Sequence, residues 1–158
     1  MSRVLFICTG NIFRSLVAET LLRKEIQKQK NTAMQCESAG IRVNSGSVRQ
    51  LVINLLVKEY CDVSAFRQQQ VTADMVHKAD VIICMTKEHK TYMQKHFSCK
   101  TFLFNEILNN EENELFDEAE IKKQKTLEKT DDELTVQQFN EIKKSISKIY
   151  EFILNFYK

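Results

Sequence analysis

The chain has 158 residues, 43% of them apolar and 28% charged, enough for one hydrophobic core, too few for two, and far from the composition of a disordered chain. Its net charge of +2 excludes a global polycation aimed at nucleic acid or an anionic membrane, so any anion site must be local. The charge is unevenly spread: residues 106–134 carry 11 acidic and 4 basic side chains, against 10 and 19 in the remainder. That pattern reads as an irregular, solvated acidic excursion from one domain spanning 1–158.

Arg3 to Cys8 is a nearly unbroken apolar run, the mark of a parallel strand buried on both faces, and it stops at Thr9-Gly10-Asn11. Leu16, Val17, Leu21, Leu22 and Ile26 then recur at helical spacing. Met34 to Ser38 predicts a second strand, ended by Ala39-Gly40, and a helix over 47–59 follows with Ser47 as its cap. Thr72 caps a short helix over 73–79, Asp80 to Met85 has the composition of a central strand, and Thr86 caps a helix running to about Phe97. Lys100 to Asn105 is the fourth strand. The last helix, 136–156, shows the clearest stripe: Phe139, Ile142, Ile146, Ile149, Ile153 and Phe156. Strands alternating with helices predict a small doubly wound α/β domain, with a four-stranded parallel sheet and helices on both faces. Ligands of such sheets bind beyond the carboxyl ends of the strands, where the strand order switches.

Several classes drop out. No apolar run approaches the roughly 20 residues that cross a bilayer, and a single Arg ahead of a five-residue apolar run is not a signal peptide. The expectation is a cytoplasmic protein with no membrane and no nucleic-acid partner, its oligomeric state open. Cys8, Cys36, Cys61, Cys84 and Cys99 are odd in number and lack C-x-x-C spacing, which disfavours a disulfide scaffold or a zinc ribbon. His77, His89 and His96 lack metal-ligand spacing and read as surface or helix residues, so neither metal nor other cofactor is expected.

The loop after the first strand carries the chemistry. Cys8-Thr9-Gly10-Asn11-Ile12-Phe13-Arg14-Ser15 puts a Cys and an Arg six positions apart between a buried strand and a helix start. Such a curl can aim successive N–H groups of Thr9, Gly10, Asn11, Ile12 and Phe13 at one point, reinforced by the helix N-terminus, and so bind a tetrahedral oxyanion. Gly10 and Asn11 both tolerate the positive φ that a curl needs. Arg14 would hold two phosphoryl oxygens with its planar fork. Cys8 would lie beneath the phosphorus, with the same donors favouring the thiolate, the attacking form. The nucleotide-binding pattern G-x-x-x-x-G-K-[ST] is missing.

These residues resemble the low-molecular-weight protein tyrosine phosphatases, which open with a short strand and a segment close to C-x-G-N-x-C-R-S; Cys8 to Ser15 matches it except at Phe13. Glu37-Ser38-Ala39-Gly40, Asp62-Val63-Ser64 and Met85-Thr86-Lys87-Glu88-His89 continue the likeness over residues 3–97. The resemblance implies metal-free hydrolysis of a phosphorylated protein or small aryl phosphate through a phosphocysteine on Cys8. Ser15 would donate to the sulfur, and Asn11 would hold the loop in partnership with Ser38. The family's proton donor is an Asp followed by Pro, and this chain has no Pro. Counting back from Phe139 nominates Asp131 or Asp132, with Asp117 more remote. Phe66 and Leu16 stand where the family often has a histidine and a proline, and no aromatic clamp stands in Arg42 to Ser45 or beside Glu133-Leu134. Ile12 resembles the tyrosine phosphatases; Thr there would suggest the related arginine phosphatases. Two alternatives remain open: a phosphate-binding module with weak turnover, and a thioredoxin-linked arsenate reductase relaying a disulfide through Cys84 and Cys99.

Overall fold

The computed structural model describes residues 1–109, 114–116, 121 and 129–156. Strand β1 (Ser2–Cys8) lies between β2 (Met34–Gly40) and β3 (Val81–Cys84), and β4 (Phe102–Leu103) extends the sheet beyond β3. All pairings are parallel and the order is β2-β1-β3-β4. Pleating sends alternate side chains to opposite faces. Val4, Phe6, Cys8, Val81 and Ile83 meet α1 (Arg14–Lys28), α2 (Gln50–Lys58), α5 (Phe104–Asn109) and α6 (Asp131–Phe156) in one layer. Leu5, Ile7, Ile82, Cys84 and Leu103 meet α3 (Ala73–Lys78) and α4 (Lys87–Phe97) in the other. This is the four-stranded parallel α/β sheet, flanked on both faces, that the alternation of elements implies.

Boundaries differ from the sequence reading where side chains override periodicity. β2 runs on to Gly40, which pairs with Cys8. Its bare Cα is what permits this, because a Cβ there would lie 2.7 Å from the Thr9 carbonyl oxygen and 3.0 Å from the Asn11 nitrogen. α2 begins at Gln50 rather than 47, and Ser47 is not its cap: the chain stays extended through Arg49, whose guanidinium reaches Asp132 and Thr135 on α6. β4 keeps only two residues because the Glu106 carboxylate accepts the Leu103 N–H at 3.0 Å and turns the chain into α5. α6 starts at Asp131, five residues early, on a reciprocal cap in which Glu133 accepts the Thr130 N–H at 2.8 Å and Thr130 accepts the Glu133 N–H at 3.2 Å. The acidic stretch is therefore helical at both described ends. No helix among the described residues is long and apolar enough to cross a membrane.

Candidate active site

The strand order reverses between β1 and β3, and the crevice at their carboxyl ends is where the Cys8 loop lies. Its backbone is turned by outward bonds. The Cys8 and Thr9 carbonyls accept Ile41 N–H and Arg42 N–H, both at 2.9 Å, and the Gly10 carbonyl accepts Gln68 Nε2 at 2.5 Å. C=O and N–H point oppositely across a trans peptide. Fixing three carbonyls outward therefore turns the N–H groups of Thr9, Gly10 and Asn11 inward. Asn11 completes the curl at φ 56°, whereas Gly10 stays out of the positive-φ region, so only one of the two permissive residues is used that way.

The Cys8 sulfur accepts the Asn11 N–H at 3.2 Å and lies 2.9 Å from Ser15 Oγ. Hydrogen positions follow from the partners. Asn11 Oδ1 accepts the Gln69 N–H at 3.0 Å, which fixes its amide, and Nδ2 donates to Ser15 Oγ at 3.0 Å and Ser38 Oγ at 2.8 Å. Ser15 already accepts, so its single proton is left to donate to the sulfur. Ser38 likewise donates to Glu19 Oε2 at 2.5 Å, and Arg23 closes the chain on Glu19 Oε1. Asn11, Ser15 and Ser38 are wholly buried and Glu19 nearly so. Burial raises the Glu19 pKa, while the Ser38 and Arg23 contacts lower it.

Arg14, 3% exposed at the head of α1, donates from Nη1 to the Leu115 carbonyl at 2.9 Å and from Nη2 to Thr9 Oγ1 at 3.4 Å. Thr9 Oγ1 also lies 3.0 Å from His89 Nε2. His89 lies on helix α4, as one of the two sequence alternatives has it, but is completely buried there, with its Nδ1 accepting the Thr86 N–H at 3.0 Å. Burial first, then Arg14 and Arg42, push its pKa down to about 3, leaving it neutral.

These groups border a pocket of about 230 Å3 lined by Cys8, Thr9, Gly10, Ile12, Phe13 and Arg14 from the loop, with Arg42, Asn44, Arg49 and Val52 at its edge. Larger hollows, of about 800 Å3 beside α4 and about 490 Å3 along β2, contain neither Cys8 nor Arg14. Asp131 and Asp132 are exposed in the first turn of α6 and do not line the pocket; Asp132 pairs with Arg49. Asp117 lies outside the described residues. The segment just before it is anchored to the site: Glu114 Oε1 accepts the Lys87 N–H at 2.6 Å, and Leu115 N–H donates to the Met85 carbonyl at 2.8 Å. Sequence reasoning missed Leu115, Gln68, Gln69, Glu19 and Arg49. Leu115-Phe116, the one apolar pair between Leu108 and Ile121, was a usable signal; the glutamines gave none. Among the described residues no cluster of three His, Cys, Asp or Glu could hold a metal.

Comparison with known proteins places this geometry. The family profile described as low molecular weight phosphotyrosine protein phosphatase matches residues 3–151. The low molecular weight protein-tyrosine-phosphatase PtpB of Staphylococcus aureus is 33% identical over 103 residues, 65% of this chain and 69% of that one. Two solved structures share the fold. The low molecular weight protein tyrosine phosphatase from T. tengcongensis has 24% identity and TM-score 0.78, covering 96% of this chain and 99% of that one. The YwlE arginine phosphatase from Geobacillus stearothermophilus has 20% identity and TM-score 0.78, covering 98% and 94%. The profile match over nearly the whole length, joined to a relative one-third identical, establishes that the chain belongs to the low molecular weight phosphotyrosine protein phosphatase family.

Proposed function

We propose that the chain hydrolyses phosphotyrosine in proteins through a phosphocysteine on Cys8. One observation carries the reading: a sulfur that receives the Asn11 amide and the Ser15 hydroxyl borders the same small pocket as the buried Arg14 guanidinium. The Cys8 thiolate attacks phosphorus, the P–O bond to the phenol breaks, and an aspartic acid protonates the departing oxygen. The same carboxylate then takes a proton from water, which attacks the phosphocysteine. The S–P bond breaks and inorganic phosphate leaves, while the Ser15 hydroxyl stabilises the returning thiolate. Inward amides and Arg14 hold the oxygens throughout.

For the proton donor, the anchoring of Leu115 to Arg14 and Met85 favours Asp117, two residues further on. Asp131 and Asp132 belong to the head of α6, outside the described pocket lining. The choice of tyrosine over arginine is supported by Arg14, Arg42 and Arg49 around the pocket, since phosphoarginine would bring its own guanidinium among three others. The arsenate-reductase alternative is disfavoured. Burial pushes the Cys84 thiol up to about 12 and also raises Cys99, the reverse of what a disulfide relay needs.

Purified protein assayed on an aryl phosphate between about pH 5 and 7 tests the reading. Cys8→Ser should abolish release of product while vanadate still binds. Asp117→Asn should cost roughly 10²- to 10⁴-fold in kcat and erase the alkaline limb of the pH profile. If Asp131→Asn or Asp132→Asn erases that limb instead, the donor sits at the head of α6. A wild type that binds phosphate but turns nothing over would make the chain a binding module.

A further inference from the structure

The pocket's volume of about 230 Å3 is below the roughly 300 Å3 at which sites begin to bury drug-sized ligands. It admits a phosphoryl group and part of the side chain bearing it. The rest of a phosphorylated segment must lie across the rim, so the rim decides which segments are accepted.

That rim is cationic and short of aromatic surface. Arg42, in the stretch after β2, and Arg49, at the head of α2, both line it, no carboxylate stands among its described lining residues, and the single aromatic there, Phe13, is 9% exposed. Unlike buried Arg14, both rim arginines are open to solvent, their side chains 70% and 43% accessible. Each already binds a carboxylate from this chain: Arg42 holds Glu88 of α4 at 2.6 Å, and Arg49 holds Asp132 of α6. α4 and α6 belong to opposite layers of the sheet, so the two cations flank the pocket from different sides. Exposed ion pairs contribute little, so a substrate carboxylate can exchange with Glu88 or Asp132 on these guanidinium groups at small cost.

We propose that Arg42 and Arg49 select phosphorylated protein segments carrying Asp or Glu beside the phosphoresidue. The flanking carboxylates pair with the rim on either side while the phosphoryl group enters the Cys8 loop. This rests on the phosphatase reading of the pocket but has its own readout.

The test measures binding to the full-length Cys8→Ser protein of two phosphotyrosine peptides, one flanked by Asp and Glu, the other by Asn and Gln at the same positions. The acidic peptide should bind about tenfold more tightly. The ratio should fall toward one at about 0.5 M salt and in Arg42→Gln with Arg49→Gln, and survive in the paired Lys substitutions. The ratio is the readout, so a general loss of affinity cannot imitate it. Equal affinities, or binding of neither peptide by protein with native circular dichroism, overturn the inference. Wild-type turnover of an aryl phosphate separates the two failures: turnover with a ratio near one sinks the rim alone, whereas a preserved ratio without turnover sinks the hydrolysis and leaves the rim.

Discussion

Thr9 Oγ1 accepts hydrogens from two sides, and that determines where its own proton goes. His89 Nδ1 is occupied by the Thr86 N–H, so the neutral ring carries its proton on Nε2 and donates to Thr9; Arg14 Nη2 donates to the same oxygen. The Thr9 hydroxyl proton is left to donate into the pocket it lines, adding a side-chain donor to the amides. Thr9→Val keeps the shape and removes the donor. It should cost about tenfold in kcat/KM on an aryl phosphate, less than the 10²–10³ of a principal oxyanion donor. His89→Leu should lose a similar amount, and the double variant should be little worse than the poorer single one, because both break one chain of contacts. Additive losses would mean that the two act separately.

Between elements, the critical joint is where β2 closes on the loop. Ser38 and Gly40 sit at the carboxyl end of β2; one takes the Asn11 amide at 2.8 Å, the other admits the Thr9 carbonyl. Gly40→Ala would place a methyl 2.7 Å from that oxygen and 2.9 Å from Val43 Cγ2. We predict a destabilisation of about 1–3 kcal/mol by denaturant unfolding, with phosphate affinity falling as well because the loop must shift. An unchanged affinity would show that the loop is positioned independently of β2. This joint also explains what was legible in the sequence. Cys8 to Ser15 is contiguous and lies between a strand and a helix, so its chemistry could be read locally. Gln69 bonds to Asn11 across 58 residues from a stretch with no periodicity, and nothing local marks it. The start of α6 was written in Thr130-Asp131-Asp132-Glu133, but the surrounding charge run hid its capping signal.

Across the whole molecule, parallel alternation was readable because each strand is an apolar run and each long helix has a stripe, whereas burial of individual polar groups was not. His89, on a charged helix, is such a group. Its consequence is a stability that depends on pH. In the folded protein His89 is held near 3, against about 6.5 when exposed. Between those values the unfolded chain binds a proton that the folded chain refuses, so stability falls as pH drops from 6.5 toward 3. Glu19 works in the opposite direction: its raised pKa means that stability falls as pH rises from 4.5 through its folded value. Glu106, held low by the Leu103 N–H and Lys90, gives its stabilisation above 4.5 and loses it as pH falls through its folded value. Wild-type stability between pH 4.5 and 6 therefore mixes the opposed contributions of His89 and Glu19, and Glu106 joins only below 4.5. His89→Gln retains an amide that can donate to Thr9 but cannot titrate. The difference between variant and wild type isolates the histidine. Urea unfolding at half-unit steps should show the wild type losing up to about 1.4 kcal/mol per pH unit relative to the variant below pH 6. Parallel stability curves for the two proteins would mean that the ring takes up its proton in the folded state, where a protonated Nδ1 could no longer accept the Thr86 N–H.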